Sequence, residues 1–385
     1  MPDPRAVAPV EIVSEIDGGK EPVEGAALCL SGGGYRAMVF HVGSLWRLYD
    51  AGLLKGLKRI SSVSGGSITA AKLALEWKNL SFDPARVKED FVPRVVDPIR
   101  KMASKTIDRT AIIAGALLPG SISDRIADAY RENLFGEATL RDLPTDEQGP
   151  RFVINATNVQ TGALWRFSRP YMGDWKVGRI ANPDLEIAVA VGASSAFPPV
   201  LSPVTLDLEP SAFTLPGQAD LGSDVFKSEV VLSDGGVYDN LGLETAWKRY
   251  RTVLVSDAGG KMGAEGDPDH DWARHSIRIM SLIDNQVRSL RKRQLISSYE
   301  DKTRNGAYWG IRTDIANYKV EKALHCPEER TLKLADTPTR LKKMDGPLQS
   351  RLINWGYAVT DAAIRRHLDP GIPAPVDFPY PGVKV

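Results

Sequence analysis

The stretch "LCLSGGGYRAMVFHVGSLW", Leu28 to Trp46, sets an apolar run against three glycines and then against a segment of helical spacing. The run "GAALCLS", Gly25 to Ser31, is short and ends at glycine, as a buried strand does. Beyond Gly34, the residues Met38, Val42, Leu45, Trp46 and Leu48 recur at near-helical intervals until "DAG", Asp50 to Gly52, stops the pattern. A strand that turns into a helix through Gly32, Gly33 and Gly34 offers backbone N–H groups with no Cβ in the way. Such a turn serves either a phosphate or an oxygen that becomes negative during a reaction. The phosphate loop needs a terminal Gly-Lys-Ser/Thr, which is absent, and the dinucleotide pattern fails because Ala37 holds its last glycine position.

The next element points to the second use. "KRISSVS", Lys58 to Ser64, has the composition of another strand, and "GGSITAAKLALEWKN", Gly65 to Asn79, that of a helix. Strand–helix–strand–helix order predicts a parallel sheet covered by helices. The second strand runs into "SVSGGS", Ser62 to Ser67, a serine between strand residues and glycines with a helix directly behind it. That is the pattern of a nucleophile elbow, with Ser64 exposed on the turn. It departs from the usual form in carrying Ser62 where glycine is common. A Ser/Gly turn that merely caps a helix has the same composition.

A serine hydroxyl needs a base. None of the five histidines (His41, His270, His275, His325, His367) lies in a Gly/Asp-rich loop. His41 falls inside a helix and reads as structural, and His275 falls in the charged segment "DPDHDWARHS". The better base is Asp234 in "VVLSDGGVYDNLGLE", Val230 to Glu244, where an apolar strand ends at the carboxylate and glycines follow. In a parallel sheet, ligands gather at the carboxyl ends of the strands, where both Ser64 and Asp234 would lie. A partly desolvated carboxylate within hydrogen-bond reach can take the hydroxyl proton directly; an Asx turn is the plain alternative.

At these positions the chain resembles the patatin-like phospholipase family. "GGGYRA" (Gly32 to Ala37) is similar to its glycine-rich block, "SVSGG" (Ser62 to Gly66) to its nucleophile block, "ASSAFPPVLSPV" (Ala193 to Val204) to its Ser/Ala–Pro block, and "SDGG" (Ser233 to Gly236) to its Asp-Gly-Gly block. The resemblance spans about residues 25 to 260. It implies a three-layer α/β/α fold with a mostly parallel central sheet and a helical cap insertion. It also implies hydrolysis of acyl esters of phospholipids or related lipids through a Ser64–Asp234 dyad, with no metal and no cofactor. Gly32, Gly33, Gly34 and Gly65 would form the oxyanion hole, supported by Arg36, Gly66, Gly235 and Gly236. A lipid acyltransferase, a short-chain esterase and a non-catalytic lipid-binding protein share these features in whole or in part.

The rest of the chain bounds this reading. Its 385 residues are 43% hydrophobic and 25% charged, with a net charge of +1, so nothing draws it to nucleic acid. Two cysteines, Cys29 and Cys326, exclude a disulfide framework and a clustered zinc site. Residues 1–24 read as a tail, and residues 25–385 as one catalytic domain with a helical, cap-like insertion at 81–146 and a mainly helical part at 261–385. "RFVINATNVQTGALWRFSR" predicts a hairpin, Leu185 to Ala196 a helix, Val230 to Ser233 and Thr252 to Ser256 strands, Ser276 to about Tyr299 a long helix, Asn305 to Thr313 a strand, and Leu348 to Leu368 a closing helix. The N-terminus has no basic start followed by an apolar core, and "AIIAGALLPG", Ala111 to Gly120, is far shorter than the roughly 18 residues a spanning helix needs. The expectation is a cytoplasmic enzyme that meets membranes peripherally through Ile112, Ile113, Leu117 and Leu118, with the basic run Arg288–Gln294 as a second contact.

Overall fold

The computed structural model describes residues 21–107, 122–199, 201–215, 217 and 221–385. The chain enters through β1 (Val23–Leu30) and α1 (Gly34–Asp50), then β2 (Leu57–Val63) and α2 (Gly65–Glu76). The insertion contributes α3 (Asp97–Ala103) and α4 (Ile122–Tyr130). Strands β3 (Arg151–Asn158), β4 (Ala163–Phe167), β5 (Tyr171–Asp174) and β6 (Gly178–Ala181) follow, then α5 (Ile187–Ser194), β7 (Val204–Asp207), β8 (Phe213–Leu215) and β9 (Glu229–Asp234). Two single-turn helices, α6 (Gly236–Asp239) and α7 (Glu244–Trp247), lead to β10 (Tyr250–Asp257). The last elements are α8 (Trp272–Glu300), β11 (Asn305–Gly310), α9 (Glu328–Ala335) and α10 (Gly346–His367).

Among the described residues the strands form one sheet in the order β11-β10-β1-β2-β3-β4-β5-β6-β8, with β9 pairing β3 and β7. From β11 to β3 every pairing is parallel, and from β3 outward every pairing is antiparallel. Side chains alternate across β1. Leu28 and Leu30 enter the large core that holds α1, α2 and α10, whereas Ala27 and Cys29 enter a smaller one with Leu241, Leu243, Ala246 and Leu295. Two covered faces make three layers. Helix α10 crosses α1 so closely that a Cβ on Gly43 would collide with the Ile353 carbonyl, and one on Gly356 with that of Phe40. The C-terminal part is therefore built into the same core as the elbow.

Strand β3 brings the ends of β2 and β9, and with them Ser64 and Asp234, to one place. Its edge pairs first with β2, Arg59 to Val63 against Arg151 to Asn155, in parallel. The same edge then pairs with β9, Leu232 to Asp234 against Asn158 to Ala156, antiparallel. The two strands run towards each other along one neighbour, and their carboxyl ends meet beside Asn155 and Ala156.

The strands β5 to β8 were not legible in the sequence, being three to four residues long. The described flanks of the insertion pack inward: Phe91, Val95, Val96, Ile99 and Met102 are fully buried in the main core. Ile112, Ile113, Leu117 and Leu118 lie outside the described residues. No described helix is long and apolar enough to cross a membrane.

Candidate active site

Strand β2 ends at Val63, and Ser64 takes φ 51° and ψ −121° before α2 begins. That conformation costs a non-glycine residue about 1–3 kcal/mol and persists only where its surroundings enforce it. Here the Ser64 N–H donates to Ser194 Oγ (3.0 Å), and its carbonyl accepts from Ser67 (2.8 Å) and Ile68 (3.3 Å). Ser67 Oγ donates to Ser62 Oγ (3.1 Å) and lies 2.9 Å from Ser194 Oγ. Ser62 thus fills the usual glycine position with a hydroxyl that ties the turn to its neighbours.

Asp234 ends β9. Its N–H donates to the Ala196 carbonyl (2.9 Å), and its own carbonyl accepts from Thr157 Oγ1 (2.8 Å). Its carboxyl accepts the Gly236 N–H (2.7 Å), and the Ser64 side chain stands beside it. Burial pushes this carboxyl up to about 7; the Gly236 N–H and the neighbouring Ser64 hydroxyl oppose the shift and the charge of Asp284 reinforces it. A carboxyl with that affinity changes charge near neutral pH, as a base that must accept and return a proton requires.

The Ser-Ser-Ala segment at the end of α5 brackets both residues. Ser194 Oγ receives the Ser64 N–H and donates to the Asn155 carbonyl (2.7 Å), while the Ser194 and Ala196 carbonyls accept the N–H groups of Gly235 and Asp234. Sequence reasoning marked this block without giving it a role. Its signal was a pair of serines closing a wholly apolar helix, where each hydroxyl must find a partner.

The glycine turn lies directly against the elbow. Gly33 has φ 145° and Gly34 φ 60°, both in the region that side chains avoid. A Cβ on Gly65 would collide with the Gly34 carbonyl, and one on Gly32 would stand 3.2 Å from Ser64 Cβ. The N-termini of α1 and α2 start at these residues, so two positive dipole ends converge beside the Ser64 hydroxyl. One of the four expected donors is occupied: the Gly32 N–H donates to the Asn240 carbonyl (3.0 Å). The N–H groups of Gly33, Gly34 and Gly65 donate to no acceptor among the described residues. Asn240, which sequence reasoning passed over, anchors the turn from the loop after α6.

The supporting residues hold this frame. Gly66 packs on the Leu30 and Ser31 carbonyls and Gly235 on that of Asn155. Arg36 is buried and turned away from the elbow. It donates to the Ala258 carbonyl (2.9 and 3.1 Å) and the Thr337 carbonyl (2.6 Å), and burial lowers it to about 10. His41 is buried between Ser256 Oγ (2.8 Å) and the Ser31 carbonyl (2.9 Å). Burial lowers it to about 4, so it stays neutral and structural. His270, His275, His325 and His367 are exposed, whereas Ser64 and Asp234 are buried. The described residues contain no group of His, Cys, Asp and Glu able to hold a metal ion.

The sequence profile of a family described as patatin-like phospholipase matches residues 28–247. No curated protein matches by sequence. Among solved structures, human GIVD cytosolic phospholipase A2 in complex with methyl gamma-linolenyl fluorophosphonate superposes with TM-score 0.53 at 14% identity, covering 93% of this chain and 60% of that one. A second structure of the human GIVD enzyme gives TM-score 0.40 at 16% identity, over 66% of this chain and 47% of that one. VipD from Legionella pneumophila gives TM-score 0.33 at 14% identity, over 89% of this chain and 66% of that one. The chain thus spans about half of the human enzyme's length, and at these identities the likeness is one of fold.

Proposed function

The chain belongs to the patatin-like phospholipase family, and from that premise we propose that it is a serine acyl hydrolase that cleaves acyl esters of phospholipids or related lipids, with Ser64 as nucleophile and Asp234 as its sole base. The observation that carries the reading is the junction of two strand ends along β3, where the strained Ser64 turn follows Val63 opposite Asn155 and the buried Asp234 stands opposite the next residue, Ala156.

Asp234 takes the proton as Ser64 Oγ attacks the ester carbonyl. The carbonyl oxygen becomes an oxyanion facing the N–H groups of Gly33, Gly34 and Gly65 at two helix N-termini. Collapse breaks the ester C–O bond, and Asp234 returns its proton to the departing alcohol. Water then attacks the acyl-serine, giving its proton to Asp234, and the fatty acid leaves as Ser64 recovers its hydrogen. The Gly236 N–H holds one carboxyl oxygen throughout, so the other stays aimed at Ser64.

A fluorophosphonate tests the reading, because it reacts only with an activated serine. Mass spectrometry of the labelled, digested protein should place the adduct on Ser64, and Ser64→Ala and Asp234→Asn should abolish it. Labelling of another serine, or full labelling of Asp234→Asn, would refute the assignment. Free fatty acid from phosphatidylcholine, absent with Ser64→Ala, tests the substrate class.

A further inference from the structure

Helix α8 is 29 residues long, yet only Leu295 and Ser298, near its C-terminal end, are buried. More than half of the large apolar side chains exposed among the described residues lie on it. Trp272 is 84% exposed, Ile279 41%, Ile283 54% and Leu290 57%. At 3.6 residues per turn these four fall within about 20° of one line, about 27 Å long. Met280 and Leu282, also exposed, flank it. The inner side of the helix is the opposite in character: Arg291 reaches Glu244 (3.0 Å) and Asp239 (3.6 Å) and covers the Tyr238 ring. That side fastens α8 to the segment that follows Asp234, close enough for Asp284 to raise the Asp234 carboxyl.

We propose that the outer face of α8 is a docking surface for an anionic lipid bilayer, lying in the interface with Trp272, Ile279, Ile283 and Leu290 inserted and the candidate active site held against the membrane. The proposal rests on the lipid hydrolase reading above. Charge selects this occupant. The helix carries six Arg and Lys residues against two carboxylates, Asp284 and Glu300. Arg274, Lys292 and Arg293 are exposed, and Asp284 is on the protein side. An apolar line flanked by cations is the composition of an interfacial helix. A second copy of the chain fits less well. In the heptad that contains the line, Ser276, Gln286 and Arg293 occupy three of the seven seam positions between residues 272 and 293. Exposed Val237 on α6 and Phe197 beyond α5, both 50% accessible, extend apolar surface towards the elbow.

The experiment uses the full chain carrying Ser64→Ala, so that vesicles are not consumed. It should sediment with vesicles of equal parts phosphatidylcholine and phosphatidylglycerol, and much less with phosphatidylcholine alone. Adding Trp272→Gln and Ile279→Gln should lower partitioning by at least about tenfold, and adding Arg274→Gln and Arg293→Gln instead should remove the preference for the anionic vesicles. In the Ser64 background the same apolar variant should hydrolyse a short soluble ester at the unchanged rate and vesicle lipid more slowly. Unaltered partitioning of the folded apolar variant overturns the proposal. So does a lipid-free dimer that this variant converts to monomer. If vesicles bind through α8 but no lipid is cleaved, the surface stands and the hydrolase reading falls. If the apolar variant cleaves vesicle lipid at full rate, the reverse holds.

Discussion

Replacing Asp234 by Asn should make the protein more stable and nearly inactive. The carboxyl is buried, and its affinity for a proton rises from the ordinary 3.8 to about 7 on folding. Below pH 4 both folded and unfolded chains hold the proton and the residue is neutral towards stability. Between about pH 4 and 7 the unfolded chain releases it while the folded one keeps it, so the native state loses stability as pH rises. Above pH 7 the loss is complete. About three pKa units correspond to about 4 kcal/mol. Asn keeps the shape and can still accept the Gly236 N–H, but it has no charge to desolvate. Urea denaturation at pH 8 should therefore find Asp234→Asn more stable than the natural chain by up to about 4 kcal/mol, shrinking towards zero near pH 4. On a soluble ester its kcat should fall by about 10³ or more, beyond the loss of one hydrogen bond. In the natural chain kcat/KM should climb with pH and level off above about 7, since only the ionised carboxyl accepts the proton. A stability difference that does not change with pH would show that the carboxyl is ionised throughout, and turnover within tenfold of normal would remove Asp234 from the mechanism.

Three further outcomes follow from the frame around the dyad. Ser194→Ala removes the acceptor of the Ser64 N–H, so kcat and the rate of fluorophosphonate labelling should both drop about tenfold with KM unchanged; equal rates would mean that the elbow is held without it. His41→Gln should cost about 1–3 kcal/mol in denaturant while keeping kcat within about threefold; a folded but dead variant would return a histidine to the chemistry. Gly43→Ala drives a methyl into the Ile353 carbonyl and should lower stability by about 1–3 kcal/mol in thermal melts, despite the better helix propensity of alanine; an unchanged melting temperature would contradict the close crossing of α1 and α10.

The parallel half of the sheet was legible because each strand is a buried apolar run bounded by glycine, and each following helix repeats its apolar residues. In the antiparallel half only the β3–β4 hairpin and β9 were legible. Strands β5 to β8 are three to four residues long, too short for an alternation to show above chance. At the site, Ser64 and Asp234 could be found because each stands where a strand breaks into glycines. The Gly32 amide could not be judged: its partner is the Asn240 carbonyl, more than two hundred residues away, and no side-chain pattern announces a backbone acceptor. The insertion read as a separate cap, since helical apolar segments look alike whether they cover a pocket or fill a core. The described flanks fill the core. The exposed face of α8 was hidden for the same reason, because its apolar line would equally suit a buried helix.

A serine served by a carboxylate alone imposes a geometric condition that a triad relaxes. An imidazole on a loop can swing to meet its hydroxyl, whereas a short aspartate must be delivered to it by the backbone. Two strands that run towards each other along a third satisfy this condition. Val63 pairs with Asn155 and Asp234 with the next residue, Ala156, so the register of β3 alone sets the separation of the proposed nucleophile and base. The antiparallel entry of β9 into an otherwise parallel region is what allows it, because a parallel β9 would place Asp234 beyond the far end of the edge. The same junction leaves β2 unable to continue, which forces the sharp turn at Ser64, and the serines of α5 then fill the gap with hydrogen bonds to both strand ends. The strain of the elbow and the placement of the proposed base are thus two consequences of one feature of the sheet.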